Sequence, residues 1–291
     1  MIIIQMSGGL GNQMFQYALY LKLKSLGHDV KLDDITEYRG ENTRPIQLSA
    51  FGIRYPAATR KEVTEITDGS MRLSDRVRRM FTGRKTAQYR ENGTNFDPEV
   101  LRKDPAYLVG NYQSEQYFED IKDEVRKAFT FDPDVITDEI KEWETRIVSD
   151  DATAIHVRRG DYLGAQDVYG NICTDEYYDS AIRYTLEKHP DTVFYLFTND
   201  PEWADFYAGK HKGISIIPVK CNTEYTGYLD MYLMSKCKNH IIANSSFSWW
   251  GAWLCGNKEK EVIAPKVWLN NGKCEDIHTD NMILIDREGN M

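Results

Sequence analysis

Arg158, Arg159 and Asp161, in the stretch His156-Val157-Arg158-Arg159-Gly160-Asp161-Tyr162, are the residues whose types and spacing most directly suggest a chemistry. They follow a short apolar run, residues 153–157, that reads as a buried strand. A guanidinium fork meets phosphate oxygens two at a time, which a lysine's point charge does not, and α/β sheets hold their ligands beyond strand ends. The alternative reading is a solvated or salt-bridged surface pair.

Two other stretches could receive an anion. Residues 2–5 form an apolar strand, followed by Gly8-Gly9-Leu10-Gly11-Asn12-Gln13 and then by Met14, Ala18 and Leu21 at helical spacing. Gly27 closes that helix and residues 29–32 read as the next strand, so the chain opens with a β, glycine-rich loop, α, β unit whose helix start could accept an anion. The glycines lack the dinucleotide spacing and no Gly-Lys-Ser/Thr follows, so a tight turn with packing reasons alone fits as well. Late in the chain, Asn244-Ser245-Ser246-Phe247-Ser248-Trp249-Trp250-Gly251-Ala252-Trp253-Leu254 follows a strand at 240–243. It carries helical apolar spacing, which puts Ser245 and Ser246 at a helix start, where N–H groups and hydroxyls both face outward. Simple N-capping is the alternative for either serine, and the tryptophans read as core.

These three motifs, in this order, resemble the α-1,2-fucosyltransferases of bacteria and animals (glycosyltransferase family 11), which move fucose from GDP-fucose to O2 of a galactose. Gly110-Asn111-Tyr112-Gln113-Ser114-Glu115-Gln116-Tyr117-Phe118 is similar to that family's aromatic segment, and Thr198-Asn199-Asp200 agrees as well. The resemblance implies a GT-B-like α/β architecture: two Rossmann-like domains facing across a cleft, the C-terminal one a doubly wound parallel sheet. It also implies an inverting, metal-independent transfer with GDP-fucose as donor substrate and no cofactor, onto a galactose-terminated oligosaccharide.

The resemblance assigns roles residue by residue. Arg158 is the principal phosphate partner; Arg159 contributes directly or holds the turn through Asp161. Asn12 reaches the sugar-phosphate from the other domain. His156 lines the nucleotide beside Asn199, while Asn244, Ser245, Ser246 and Phe247 meet it from the helix start. Asp230, in Tyr228-Leu229-Asp230-Met231-Tyr232, reads guanine, because a carboxylate accepts from both N1–H and the exocyclic amine. Tyr112, Gln113 and Glu115 fall on the acceptor side. Inversion needs a proton acceptor for the galactose hydroxyl, or a dissociative path in which the departing phosphate takes the proton. Asp161 is the motif carboxylate and could equally be structural; Asp167 and Glu115 are other acids for the role.

Composition bounds the alternatives. A chain of 291 residues suggests two domains, and a net charge of -9 argues against a general nucleic-acid binder. The five cysteines form no C-x-x-C pair, so a reduced, cytoplasmic compartment is the simpler reading. No signal-like segment precedes the first strand, which matches the soluble bacterial form of the family.

The second half alternates regularly: strands at 153–157, 192–197, 214–217, 240–243 and a last one at 261–263, with helices at 175–188, from Pro201, at 225–237 and at 247–254. Residues 141–291 are therefore expected to bind GDP-fucose and residues 1–140 the acceptor, with the join within 131–150. Arg72, Arg76, Arg78, Arg79, Arg84, Lys85 and Arg90 break the acidic balance. They read either as a solvated helix face or as a patch that brings the enzyme to the inner membrane and a lipid-linked acceptor. Asp132-Pro133-Asp134 spells the D-x-D of metal-dependent glycosyltransferases, but no strand leads into it, and the scattered histidines have no ligand spacing, so no metal site is expected. Two rival functions stay open: a transferase for another nucleotide sugar, and a noncatalytic glycan-binding protein.

Overall fold

The computed structural model describes residues 1–38, 45–159, 164, 166–223 and 226–291. The chain divides into two compact units, Met1–Thr130 and Phe131–Met291.

The first unit is built on four parallel strands, β1 (Ile2–Gln5), β2 (Val30–Asp33), β3 (Gln88–Arg90) and β4 (Ala106–Val109), in the order β2-β1-β4-β3. β1 and β4 are buried at every residue, as parallel strands covered on both faces must be. Helix α1 (Leu10–Ser25) buries Met14, Phe15, Ala18, Leu19 and Leu23. It ends in a Schellman turn: the Gly27 N–H donates to the Lys24 carbonyl and the His28 N–H to that of Leu23, with Gly27 at φ +87°. Helices α2 (Arg60–Ile66) and α3 (Leu73–Thr82) lead to β3, and α4 (Lys122–Ala128) closes the unit.

The second unit carries α5 (Asp138–Ser149), β5 (Ala152–Val157), α6 (Asp175–Lys188), β6 (Val193–Thr198), α7 (Pro201–Lys210), β7 (Ile216–Pro218), α8 (Tyr228–Lys236), β8 (Asn239–Ile241), α9 (Ser246–Leu254), β9 (Val262–Pro265) and β10 (Met282–Ile285). Its six strands are all parallel, in the order β10-β9-β8-β5-β6-β7. The winding starts at β5, runs outward to β7, and then returns through α8 to the other side of β5, which is the doubly wound order. Ile155, Val157, Phe194 and Leu196 meet Tyr177, Ile182, Ala204 and Tyr207 from α6 and α7 on one face. On the other, Ala152, Ala154, Tyr195 and Phe197 meet Ile140, Ile147, Leu229 and Leu233 from α5 and α8.

The helices expected at 175–188 and from Pro201 each start on a side-chain cap. Thr174 accepts from the Tyr177 N–H at the start of α6, and Asp200 accepts from the Trp203 N–H at the start of α7, with Pro201 in its first turn. Two expectations need correction. The strand near residues 261–263 is not the last, because β10 adds to the sheet edge beyond it. The units also divide ten residues earlier than 140/141: Val135, Ile136 and Ile140 pack into the second unit's core, so residues 131–140 belong there.

Gly251 shows how closely α8 and α9 approach. A Cβ at this position would lie 2.8 Å from Met234 Cε and 3.2 Å from Met234 Cβ. Gly251→Ala is expected to lower stability by about 1–3 kcal/mol, read from the urea midpoint. An unchanged midpoint would show that Met234 swings aside without loss.

Candidate active site

Each unit brings two of the sequence motifs to the ends of adjacent strands. In the second unit β5 and β8 are neighbours, and the winding reverses between them. The crevice outside the carboxyl ends at such a reversal is where open α/β sheets take their ligands. Arg158 and Arg159 follow β5 directly; Asn244, Ser245 and the start of α9 follow β8. Two motifs separated by some eighty-five residues of chain therefore meet because of strand order.

The two arginines have different surroundings. The Arg159 N–H donates to Asn199 Oδ1 at 2.9 Å, its Nε pairs with Asp200 Oδ2 at 3.0 Å, and its guanidinium lies 4.9 Å over the Trp203 ring. Arg159 thus fastens the β5 loop to the start of α7, and Asn199 serves the same join. Of the two roles expected for Arg159, these contacts favour holding the turn, with Asp200 as its partner; Asp161, the partner first expected, lies outside the described residues. Arg159→Ala is expected to lower kcat/KM by about tenfold, as loss of positioning does, together with a lower Tm. A loss as large as that from removing Arg158 would return Arg159 to direct phosphate contact.

Arg158 is half-buried, and its charge is felt by His156. His156 is buried, and its ring centroid lies 5.4 Å from that of Phe247 at the start of α9. Burial, and after it the Arg158 charge, pushes the imidazole down to about 3. Burial thus holds the ring in its neutral form, so a place in the site for His156 would be one of position rather than proton transfer.

Helix α9 begins without a side-chain cap from Ser245, which occupies the N-cap position, and Ser248 turns its hydroxyl back onto the carbonyls of Ala243 and Ser245. The capping alternative for Ser245 thus does not describe how this helix begins, and its first-turn N–H groups carry the helix's positive end. Asn244 is corrected from donor contact to scaffold: its Nδ2 donates to the carbonyls of Trp268 at 3.2 Å and Tyr169 at 3.4 Å, and its Oδ1 accepts from the Cys173 thiol. Trp249 and Trp250 are core, as expected, with Trp249 Nε1 donating to the Ile277 carbonyl at 2.7 Å.

Asp230 sits in the first turn of α8. Part of the residue reaches solvent, but its carboxylate lies in apolar surroundings. Burial pushes it up to about 7, a shift the 2.5 Å hydrogen bond from Asn222 Nδ2 partly offsets. Cys221, Tyr228 and Phe247 pack against the same core cluster, on the sheet face shared with α5. Asn222 was missed from sequence, since a lone asparagine eight residues upstream carries no pattern.

In the first unit the glycine-rich loop after β1 and the segment after β4 are joined. Gln113 Nε2 donates to Asn12 Oδ1 at 2.7 Å, and Gln16 Nε2 bridges to Ser7 Oγ and the Gly110 carbonyl, each at 2.9 Å. Gly8 lies at φ +72°, and a Cβ there would come within 2.5 Å of Asn12 Nδ2, so the loop's glycine admits the asparagine. Tyr112 is corrected: its side chain is fully buried, edge-on to Tyr117, with no hydroxyl partner among the described residues, and it presents nothing to a sugar. Glu115 is paired with Lys122 at 3.2 Å. Asp167, the other acid weighed as base, is exposed on a single helical turn, Gln166–Tyr169.

Asp132 accepts from the Asp134 N–H and starts a 3-10 turn, Pro133–Val135. Among the described residues no three His, Cys, Asp or Glu side chains converge to hold a metal ion, and no helix is long and apolar enough to cross a membrane. None of the five cysteines is in a disulfide.

Each unit has a parallel sheet, and the second sheet's reversal brings an arginine pair and a helix start together, the frame of an α/β ligand site. The chain belongs to glycosyl transferase family 11, which it matches over residues 90–283, and it is a glycosyltransferase. It is 31% identical over 279 residues to an alpha-1,2-colitosyltransferase of Escherichia coli, covering 92% of each chain. It is also 32% identical over 305 residues to the O-antigen biosynthesis glycosyltransferase WbnK of the same species, covering 96% of this chain and 98% of that one. A galactoside alpha-(1,2)-fucosyltransferase 1 of Ateles belzebuth is 26% identical over 263 residues, 86% of this chain and 64% of its own.

Proposed function

We propose that the protein transfers L-fucose from GDP-fucose to O2 of a terminal galactose with inversion, making an α-1,2 linkage. The observation that carries this reading is the meeting of Arg158 and the start of α9 at the reversal of the second sheet. Cleaving the fucose C1–O bond leaves negative charge on the β-phosphate. A guanidinium and aligned N–H groups supply the positive field where that charge develops. Asp230 reads the guanine, and Asn12 with Gln113 forms the polar site of the unit assigned to the acceptor. Asp161 remains our choice for the carboxylate that takes the hydroxyl proton, beside the path in which the phosphate takes it. The galactoside α-1,2 relative supports the acceptor and linkage.

Incubation with GDP-fucose and a galactosyl acceptor should give a product heavier by one deoxyhexose, with the new linkage at O2 by NMR. No product with any terminal galactoside would sink the proposal. The colitosyl relative favours a second donor: colitose is fucose without its 3-hydroxyl, and a site built to bond that hydroxyl rejects the deoxy sugar by about 10⁴-fold or more. Comparable rates with the two GDP-sugars would mean the 3-hydroxyl is not read.

We also propose that no metal takes part, so a chelator should leave the rate unchanged. Activity lost in EDTA and regained with Mn²⁺ would bring Asp132 and Asp134 back.

A further inference from the structure

Helix α3 is attached to its own unit by its polar side. Arg78 pairs with Asp68, and Arg79 donates to the Asp68 carbonyl at 3.1 Å and to the Ser70 carbonyl at 2.6 Å. Ser70 Oγ donates to Asp75 at 2.5 Å, and just past the helix Arg84 Nε holds the Thr67 carbonyl at 3.1 Å. No residue of α3 is buried. At 100° per residue, Arg78 and Arg79 straddle one side, while Leu73, Val77, Met80 and Phe81 fall in a stripe on the other. That stripe faces solvent: Leu73 is 74% exposed, Met80 83% and Phe81 84%, with Met71 at 78% just before the helix. A surface helix normally does the reverse, and a contiguous exposed apolar patch marks an interaction surface.

The charge around the stripe says what covers it. Arg72, at the helix start, and Arg76, next to the stripe at 100° per residue, are exposed, in a chain whose net charge is -9. Large flexible apolar side chains rimmed by cations suit the boundary of an anionic bilayer: Phe, Met and Leu enter the acyl edge while arginines meet the phosphates. We propose that α3 docks the protein on an anionic lipid surface. The placement of α3 is independent of the donor and acceptor assigned above.

The full chain should partition onto vesicles containing phosphatidylglycerol but not onto pure phosphatidylcholine, and added salt should weaken the binding. Leu73→Ser with Phe81→Ser, and separately Arg72→Glu with Arg76→Glu, should each reduce partitioning by about tenfold or more. Transfer to a soluble galactosyl acceptor and Tm should be unchanged in both, because these side chains are exposed and belong to neither strand-end site. Absence of binding to anionic vesicles, or equal binding by wild type and both variants, would overturn the proposal. So would a native dimer that Phe81→Ser turns into a monomer, which would show a second copy of the chain on the stripe.

Discussion

Arg158→Ala is expected to lower kcat by about a hundredfold or more, the usual cost of removing a transition-state charge partner. KM for the donor should rise less, because the β-phosphate carries its full leaving-group charge only as the C1–O bond breaks. Arg158→Lys should recover part of the loss, since an ammonium restores charge but not the bidentate fork. The measurements are steady-state kinetics with GDP-fucose at saturating acceptor, alongside Tm of each variant. Near-normal turnover in a folded Arg158→Ala protein would remove Arg158 from the leaving-group site. Arg159, tied to Asp200 and stacked on Trp203, then could not take over without breaking the β5 to α7 join.

The contrast between these two arginines marks where sequence reading stops. Their strand, the helix starts at Thr174 and Asp200, and the Gly27 helix stop were legible because each depends on residues close together in the chain. What Arg159 binds depends on Trp203 and Asp200, more than forty residues on, and adjacent arginines look alike in sequence. Asn244 and Tyr112 were misplaced for the same reason. Polar and aromatic residues in a recognised motif read as ligand contacts, yet the carbonyls of Trp268 and Tyr169 occupy one, and burial against Tyr117 takes the other. β10 was missed because four apolar residues near the chain end carry no helix to announce a further turn of the winding. The winding itself, which sets β5 beside β8, has no local signal at all.

Asp230→Asn should trade binding for stability. The folded protein holds the Asp230 carboxyl at about 7, above its ordinary value of 3.8, because burial disfavours the charge. A folded pKa above the unfolded one means stability is fully present below about 4 and is lost as pH rises through about 7. At pH 8 the ligand-free protein therefore carries an unfavourable buried charge, and the neutral amide should raise its Tm there, with a smaller effect at pH 5. Guanine wants the opposite state. Its N1–H and exocyclic amine both donate, so they need the ionised carboxylate, and GDP affinity should climb with pH up to about 7 and then level off. Below that pH, binding GDP should release a proton, measurable as a buffer-dependent heat in calorimetry. In Asp230→Asn the amide sets a donor against one guanine N–H, so GDP affinity should fall and both the pH dependence and the proton release should vanish, with the acceptor KM little changed. A folded Asp230→Asn protein that binds GDP as tightly as the native one, with the same pH profile, would show that guanine is read by another group.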